Sequence, residues 1–108
     1  MKKITILDIQ RFKDEGRKIS MLTAYDCQIA RILDGCNVDI LLVGDSVGNV
    51  VMGLDNTLPV TMDDMLHHVK AVVRGRKQAL VVADMPFLSY QVSIEEARRN
   101  AGLLIKEG

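Results

Sequence analysis

Asp39-Ile-Leu-Leu-Val-Gly-Asp-Ser-Val-Gly48 is the stretch on which the fold turns. Ile40, Leu41, Leu42 and Val43 are apolar at every position rather than at alternate ones, the pattern of a short strand covered on both faces in a parallel sheet. The run stops at Gly44-Asp45-Ser46, so the strand delivers a carboxylate just past its C-terminal end. Parallel α/β folds keep their chemistry at that end. The pattern recurs at Ala79-Leu-Val-Val-Ala-Asp84, a second apolar strand ending on Asp, and two such strands in succession imply a shared site.

Working outward, helices are predicted around these strands. Thr5-Ile-Leu-Asp8 is a capping box with Asp in place of Glu, so a helix is expected over 6–15, with Ile6, Ile9 and Phe12 along one side and Gly16 as its stop. Lys18-Ile-Ser-Met-Leu-Thr23 reads as the first strand. Asp26 is placed to cap a helix over 27–34, in which Ile29, Ala30, Leu33 and Cys36 share a face and Gly35 closes the last turn. Between Ser46 and Leu58, two glycines and an Asp-Asn turn signal predict a long loop containing at most a hairpin, and loops of that length usually serve binding. Thr61-Met-Asp-Asp64 starts another helix, whose stripe of Met62, Met65, Leu66, Val69, Val72 and Val73 runs to Gly75. Pro86 keeps a helix from following Asp84 at once, and Ser93-Ile-Glu-Glu96 opens the last helix, with Ile94, Ala97, Ala101, Leu104 and Ile105 expected to face inward. The order is a helix and then three strand-helix units, and right-handed crossovers make the strands parallel.

Composition narrows the function classes. The 108 residues allow a single domain, 1–108, and 48% hydrophobic with 26% charged residues is ordinary for a globular protein. Fourteen basic and fourteen acidic residues cancel without a long block of either sign, so neither nucleic acid nor an anionic membrane is expected as partner. Asp8 interrupts the N-terminal segment before a signal-peptide core could develop, and no apolar run approaches membrane-spanning length, so the expected location is cytoplasmic. Cys27 and Cys36 lack metal-site spacing and read as free thiols.

Adjacent parallel strands lie ~4.8 Å apart, so Asp45 and Asp84 can approach one ion at ~2.1 Å each. Two carboxylates, with water and a chelating substrate completing an octahedron, suit Mg²⁺, and the lack of a Cys/His cluster argues against zinc. The plainer alternative is that each Asp caps a helix or braces a turn. That reading fits Asp26, and it fits Asp84 poorly because the next helix starts only at Ser93. His67 and His68 are adjacent on a helix, point in different directions and read as partly exposed surface residues. Gly44-Asp-Ser-Val-Gly48 is not a nucleophile elbow; Ser46 is expected either to donate to a bound anion or to satisfy the turn. Tyr25 and Tyr90 either line the same face or pack with a wet tip.

Taken together, Thr23-Ala-Tyr-Asp26, Leu42-Val-Gly-Asp-Ser-Val-Gly48, Thr57-Leu-Pro-Val-Thr61, Met65-Leu-His-His68 and Ala83-Asp-Met-Pro-Phe87 resemble the N-terminal part of the ketopantoate hydroxymethyltransferase family, in order and spacing. The resemblance implies an α/β fold that is the N-terminal part of a (β/α)₈ TIM barrel, usually in a high-order homo-oligomer. It implies transfer of a hydroxymethyl group from methylenetetrahydrofolate to α-ketoisovalerate (3-methyl-2-oxobutanoate) through a Mg²⁺-stabilised enolate, giving ketopantoate for pantothenate and coenzyme A synthesis. By the same resemblance Asp45 and Asp84 are Mg²⁺ ligands, and Asp45, Ser46 and Asp84 contact the 2-oxo acid. The family's substrate-binding lysine, a further acidic metal-site residue and its glutamate general base correspond to positions beyond Gly108, so no catalytic base is expected in this chain. A full barrel takes ~250 residues, and the chain is therefore expected to be a truncated or split form that needs a complementing C-terminal half. Leu54 departs from the aromatic or His more frequent in the family. Two other readings compete: a non-catalytic structural or interaction fragment that pairs its last strand with another chain, and a different Mg²⁺-dependent 2-oxo acid lyase or mutase of the same superfamily.

Overall fold

The computed structural model describes residues 2–108. Its elements, in order, are α1 (Ile6–Asp14), β1 (Met21–Thr23), α2 (Cys27–Gly35), β2 (Ile40–Val43), α3 (Val47–Val50), α4 (Met62–Gly75), β3 (Leu80–Ala83) and α5 (Ile94–Glu107). The three strands form one parallel sheet in the order β1-β2-β3. Thr23 pairs with Leu42, and Val43 pairs with Ala83, so all three strands end at the same edge of the sheet. That register carries the segments starting at Tyr25, Asp45 and Asp84 to one place.

Local chemistry accounts for the boundaries. Thr5 and Asp8 form the reciprocal capping box of α1, and Thr61 and Asp64 that of α4. Asp26 Oδ1 accepts from the Ile29 N–H at 2.8 Å and starts α2. Ser93 Oγ accepts from the Glu96 N–H at 3.1 Å and starts α5. Each such cap satisfies a donor that the helix cannot pair internally, worth about 1 kcal/mol. Gly16 takes the left-handed conformation (φ +73) just beyond α1, the geometry a glycine stop provides. At the end of α2 that conformation falls to Asn37 (φ +64), while Gly35 stays inside the helix. Asn tolerates this region better than other non-glycine residues, which displaces the expected stop by two positions.

The core lies between the sheet and helices α2 and α4. Leu41 and Val43 of β2 are fully buried, and Ala30 of α2 with Met65, Val69 and Val72 of α4 joins them in one cluster. Full burial of such a side chain stabilises by roughly 1.5–3 kcal/mol. Burial along β2 alternates, Ile40 and Leu42 being only half-buried, so helices cover this strand on one face rather than both. On α5 Leu104 is buried, whereas Ile94 and Ile105, expected to face inward, are exposed. Ile29 and Cys36 of the α2 stripe are exposed as well. Both cysteines are free. Among the described residues no helix is long and apolar enough to cross a membrane.

Two carboxylates hold the opposite edge of the sheet, where the strands begin. Asp39, 3% exposed, accepts from Arg17 Nη2 at 2.9 Å and from the Ser20 N–H and Oγ–H at 3.0 and 3.2 Å. Asp34 accepts the N–H groups of Lys77, Gln78 and Ala79 at 2.7–3.0 Å and so pins the entry into β3. For both groups burial pushes the pKa up, but the donated hydrogen bonds and the nearby Arg17 or Arg76 outweigh it and hold the carboxyl below its ordinary value. These aspartates are structural, their carboxylates accepting from groups within the chain.

Candidate active site

At the C-terminal edge the carboxylates are placed differently. The ladder bond from Asp84 N–H to Val43 O, 3.0 Å, extends the β2–β3 pairing by one residue and fixes where the Asp84 side chain leaves β3. Its Oδ2 then accepts from the Asp45 N–H at 2.9 Å. The opposing carboxylate oxygen of Asp84, and both oxygens of Asp45, make no hydrogen bond or ion pair among the described residues. Asp45, Asp84, Ala83, Met85 and Tyr90 line one open cavity of about 430 Å³. Two half-buried carboxylates with free lone pairs facing one solvent-connected space form a hard-oxygen donor set, the kind that Mg²⁺ takes together with water and substrate oxygens. Among the described residues no group of three His, Cys, Asp or Glu gathers around a common point.

Gly44 makes room for the arrangement. A Cβ at this position would come 3.2 Å from Asp84 Oδ2 and 3.3 Å from Ser46 Oγ. The expected loop after Ser46 in fact opens with the single-turn helix α3, over Val47–Val50. Ser46 occupies its N-cap position in the αR conformation and makes no side-chain capping bond. Its hydroxyl instead meets Tyr25 Oη at 2.6 Å. Of the two roles foreseen for Ser46, satisfying its own turn is therefore not the one the structure adopts.

His68 departs from a plain surface residue. It is half-buried, and its Nδ1 lies 2.7 Å from the Tyr25 carbonyl oxygen. A carbonyl only accepts, so Nδ1 carries the proton in this bond, and α4 thereby braces the exit from β1. His67 is exposed, with its ring edge-on to that of His68. The sequence leaves open whether Tyr25 and Tyr90 share a face or pack with a wet tip, and it shows neither the Tyr25–Ser46 bond nor the His68 brace. Both join elements far apart in sequence, and only the helix-on-sheet register makes them visible.

The fold and this edge define a parallel α/β protein with a carboxylate-and-hydroxyl site at the C-terminal ends of its strands. A sequence model of the ketopantoate hydroxymethyltransferase family matches residues 3–108, and the chain belongs to that family. It is 65% identical over 107 residues to the 3-methyl-2-oxobutanoate hydroxymethyltransferase of Geotalea daltonii and 64% identical over 107 residues to that of Syntrophotalea carbinolica. It is 60% identical over 108 residues to the protein of the same name from Caldicellulosiruptor bescii. These alignments cover 99–100% of this chain and 40–41% of the relatives, so the chain spans about two-fifths of their length.

Proposed function

We propose that residues 1–108 are the N-terminal part of a (β/α)₈ barrel and carry the 2-oxo acid and Mg²⁺ half-site of a 3-methyl-2-oxobutanoate hydroxymethyltransferase. In this reading methylenetetrahydrofolate is the one-carbon donor, ketopantoate the product, and pantothenate and coenzyme A synthesis the context. The observation that carries it is the pairing of Asp45 and Asp84 at the ends of adjacent strands, coupled by the Asp45 N–H and facing one cavity. The names of the relatives support the same reaction.

Asp45 and Asp84 would hold Mg²⁺ through their free oxygens, with the 2-oxo acid's carboxylate and oxo groups on the same side. Bound there, the ion would supply Lewis-acid charge beside the oxygens where negative charge develops as the proton next to the carbonyl leaves. Ser46 donates its hydroxyl to the oxo acid, and Asp84 is kept from turning away by the Asp45 N–H. The general base and remaining ligands come from the part of the relatives that this chain does not span. The assembled protein is a cytoplasmic homo-oligomer that takes small molecules rather than nucleic acid or membrane as partners.

Calorimetric titration of Mg²⁺ and 3-methyl-2-oxobutanoate into the chain and into an Asp45→Ala/Asp84→Ala form tests the half-site. Mg²⁺-dependent oxo acid binding that disappears in the double variant is the expected result. Binding that survives it, or no binding to the folded parent chain, overturns the proposal.

A further inference from the structure

We propose that Tyr25 is a positioning residue for Ser46, holding the serine hydroxyl so that its proton points into the site; this rests on the proposed role of Ser46 in binding the oxo acid. Three observations carry it. Ser46 stands at a helix N-cap without capping, so its hydroxyl is not consumed by its own turn. Tyr25 Oη, at 2.6 Å, is its hydrogen-bond partner among the described residues. Tyr25 is itself fixed, since its carbonyl accepts from His68 on α4 and the N–H of the preceding Ala24 donates to Leu42 O at 3.0 Å.

The direction of the bond follows from what each oxygen must do. A hydroxyl donates one proton and accepts through its lone pairs. A carboxylate oxygen of a bound oxo acid can only accept, so Ser46 must give its proton to the ligand. The Tyr25 phenol must then donate to Ser46 Oγ. This chain of two donors aligns Ser46 before the ligand arrives and polarises its O–H once the ligand is in place. Without Tyr25 the serine rotor is free, and part of the binding energy goes into ordering it. Tyr25 touches Ser46, and its effect on the oxo acid passes through that serine.

The position of each tyrosine allows a test with two independent readouts. The chain has two tyrosines, Tyr25 and Tyr90, so labelling tyrosine with ¹³C at Cζ gives two resonances, and Tyr25→Phe assigns them by removing one. In the ligand-free chain Ser46→Ala is expected to shift the Tyr25 resonance and leave that of Tyr90 in place; an unmoved Tyr25 signal overturns the proposal whatever the binding data give. In titrations of 3-methyl-2-oxobutanoate with Mg²⁺, Tyr25→Phe is expected to raise Kd roughly threefold to tenfold, the loss of about one neutral hydrogen bond. In a Ser46→Ala background the same change is expected to do almost nothing, because the path from Tyr25 to the ligand is already cut. Equal effects of Tyr25→Phe with and without Ser46 overturn the positioning role while leaving the oxo acid site intact. If the parent chain binds no oxo acid, the site reading fails on that count, and the resonance shift alone decides whether Tyr25 holds Ser46.

Discussion

Asp45 donates its backbone N–H to Asp84 Oδ2 at 2.9 Å, so the turn that ends β2 holds the carboxylate that ends β3. The two aspartates are thus one structural unit, although thirty-eight other residues separate them in the sequence. Each half of the bond has a different owner. Asp45 contributes its backbone and keeps its side chain free, while Asp84 commits one oxygen and keeps the other.

Gly44 is where this unit is most easily disturbed. The added methyl of Gly44→Ala would lie 3.2 Å from Asp84 Oδ2 and 3.3 Å from Ser46 Oγ, so the side chains that must yield are those of the site. The backbone here is not left-handed, and no conformational strain adds to the effect. Gly44→Ala is expected to shift the melting temperature by only a few degrees, the equivalent of about 1 kcal/mol. Mg²⁺-dependent oxo acid binding is expected to weaken roughly tenfold or more. Thermal unfolding and calorimetry on the same preparation separate the two effects; a large loss of stability with unchanged binding would refute the assignment.

Gly75 answers to a different constraint. At the crossing of α2 and α4 its Cβ would fall 2.2 Å from the backbone carbonyl oxygen of Cys27 and 3.1 Å from the Ala30 methyl. Backbone cannot swing aside as a side-chain tip can, so the helices must separate and open the core around Ala30 and Val72. Gly75→Ala is therefore expected to destabilise by about 3 kcal/mol, the upper part of the overpacking range. A urea midpoint equal to that of the parent chain would show that the two helices do not meet this closely in solution.

Acid should loosen the strand-entry edge. The Asp34 and Asp39 carboxyls are held below their ordinary value of 3.8 in the folded chain. A carboxyl whose folded pKa is depressed contributes stability above its unfolded pKa, and that contribution is lost as pH falls through the folded value. The urea midpoint is expected to stay level from pH 7 to about 5 on account of these groups and to drop below about pH 4. Asp34→Ala, which leaves three N–H groups without their acceptor, is expected to cost about 1–3 kcal/mol at neutral pH. Its deficit against the parent chain should shrink at acid pH, where Asp34 itself is protonated; a deficit that stays constant down to pH 2 would place the origin of the effect elsewhere.

These elements also show which parts of the molecule local sequence can reveal. The caps at Thr5, Asp26, Thr61 and Ser93 were legible because a cap is a bond between residues three apart. The ends of β2 and β3 were legible because an apolar run stopping on Asp is a one-dimensional pattern, and they gave the candidate site at Asp45 and Asp84. The stripe on α4 was read correctly at Met65, Val69 and Val72, yet the same periodicity placed Ile94 and Ile105 inward on α5, where they are exposed. Periodicity states which residues share a face, not whether anything covers it. The helix α3 was hidden because Val-Gly-Asn-Val has poor intrinsic helix propensity and its N-cap serine is occupied by Tyr25. Asp34 gave no sign of its role, since its three partners lie more than forty residues away.

Asp84 allows structure and ligand binding to be told apart at a single position. Asp84→Asn keeps an amide oxygen able to accept from the Asp45 N–H, and it removes the charge that a divalent cation needs. Asp84→Ala removes both, leaving the Asp45 N–H without its acceptor beside half-buried surroundings. If the unit acts as proposed, Asn at 84 should melt within a few degrees of the parent chain while Mg²⁺ affinity falls by at least about tenfold, since a neutral oxygen is a far weaker ligand for a hard cation. Ala at 84 should lose the same affinity and in addition about 1 kcal/mol of stability from the orphaned donor. Parallel melting curves and Mg²⁺ titrations check both parts, and retention of Mg²⁺ affinity by the Asn variant would remove Asp84 from the metal site while leaving its hold on Asp45 standing.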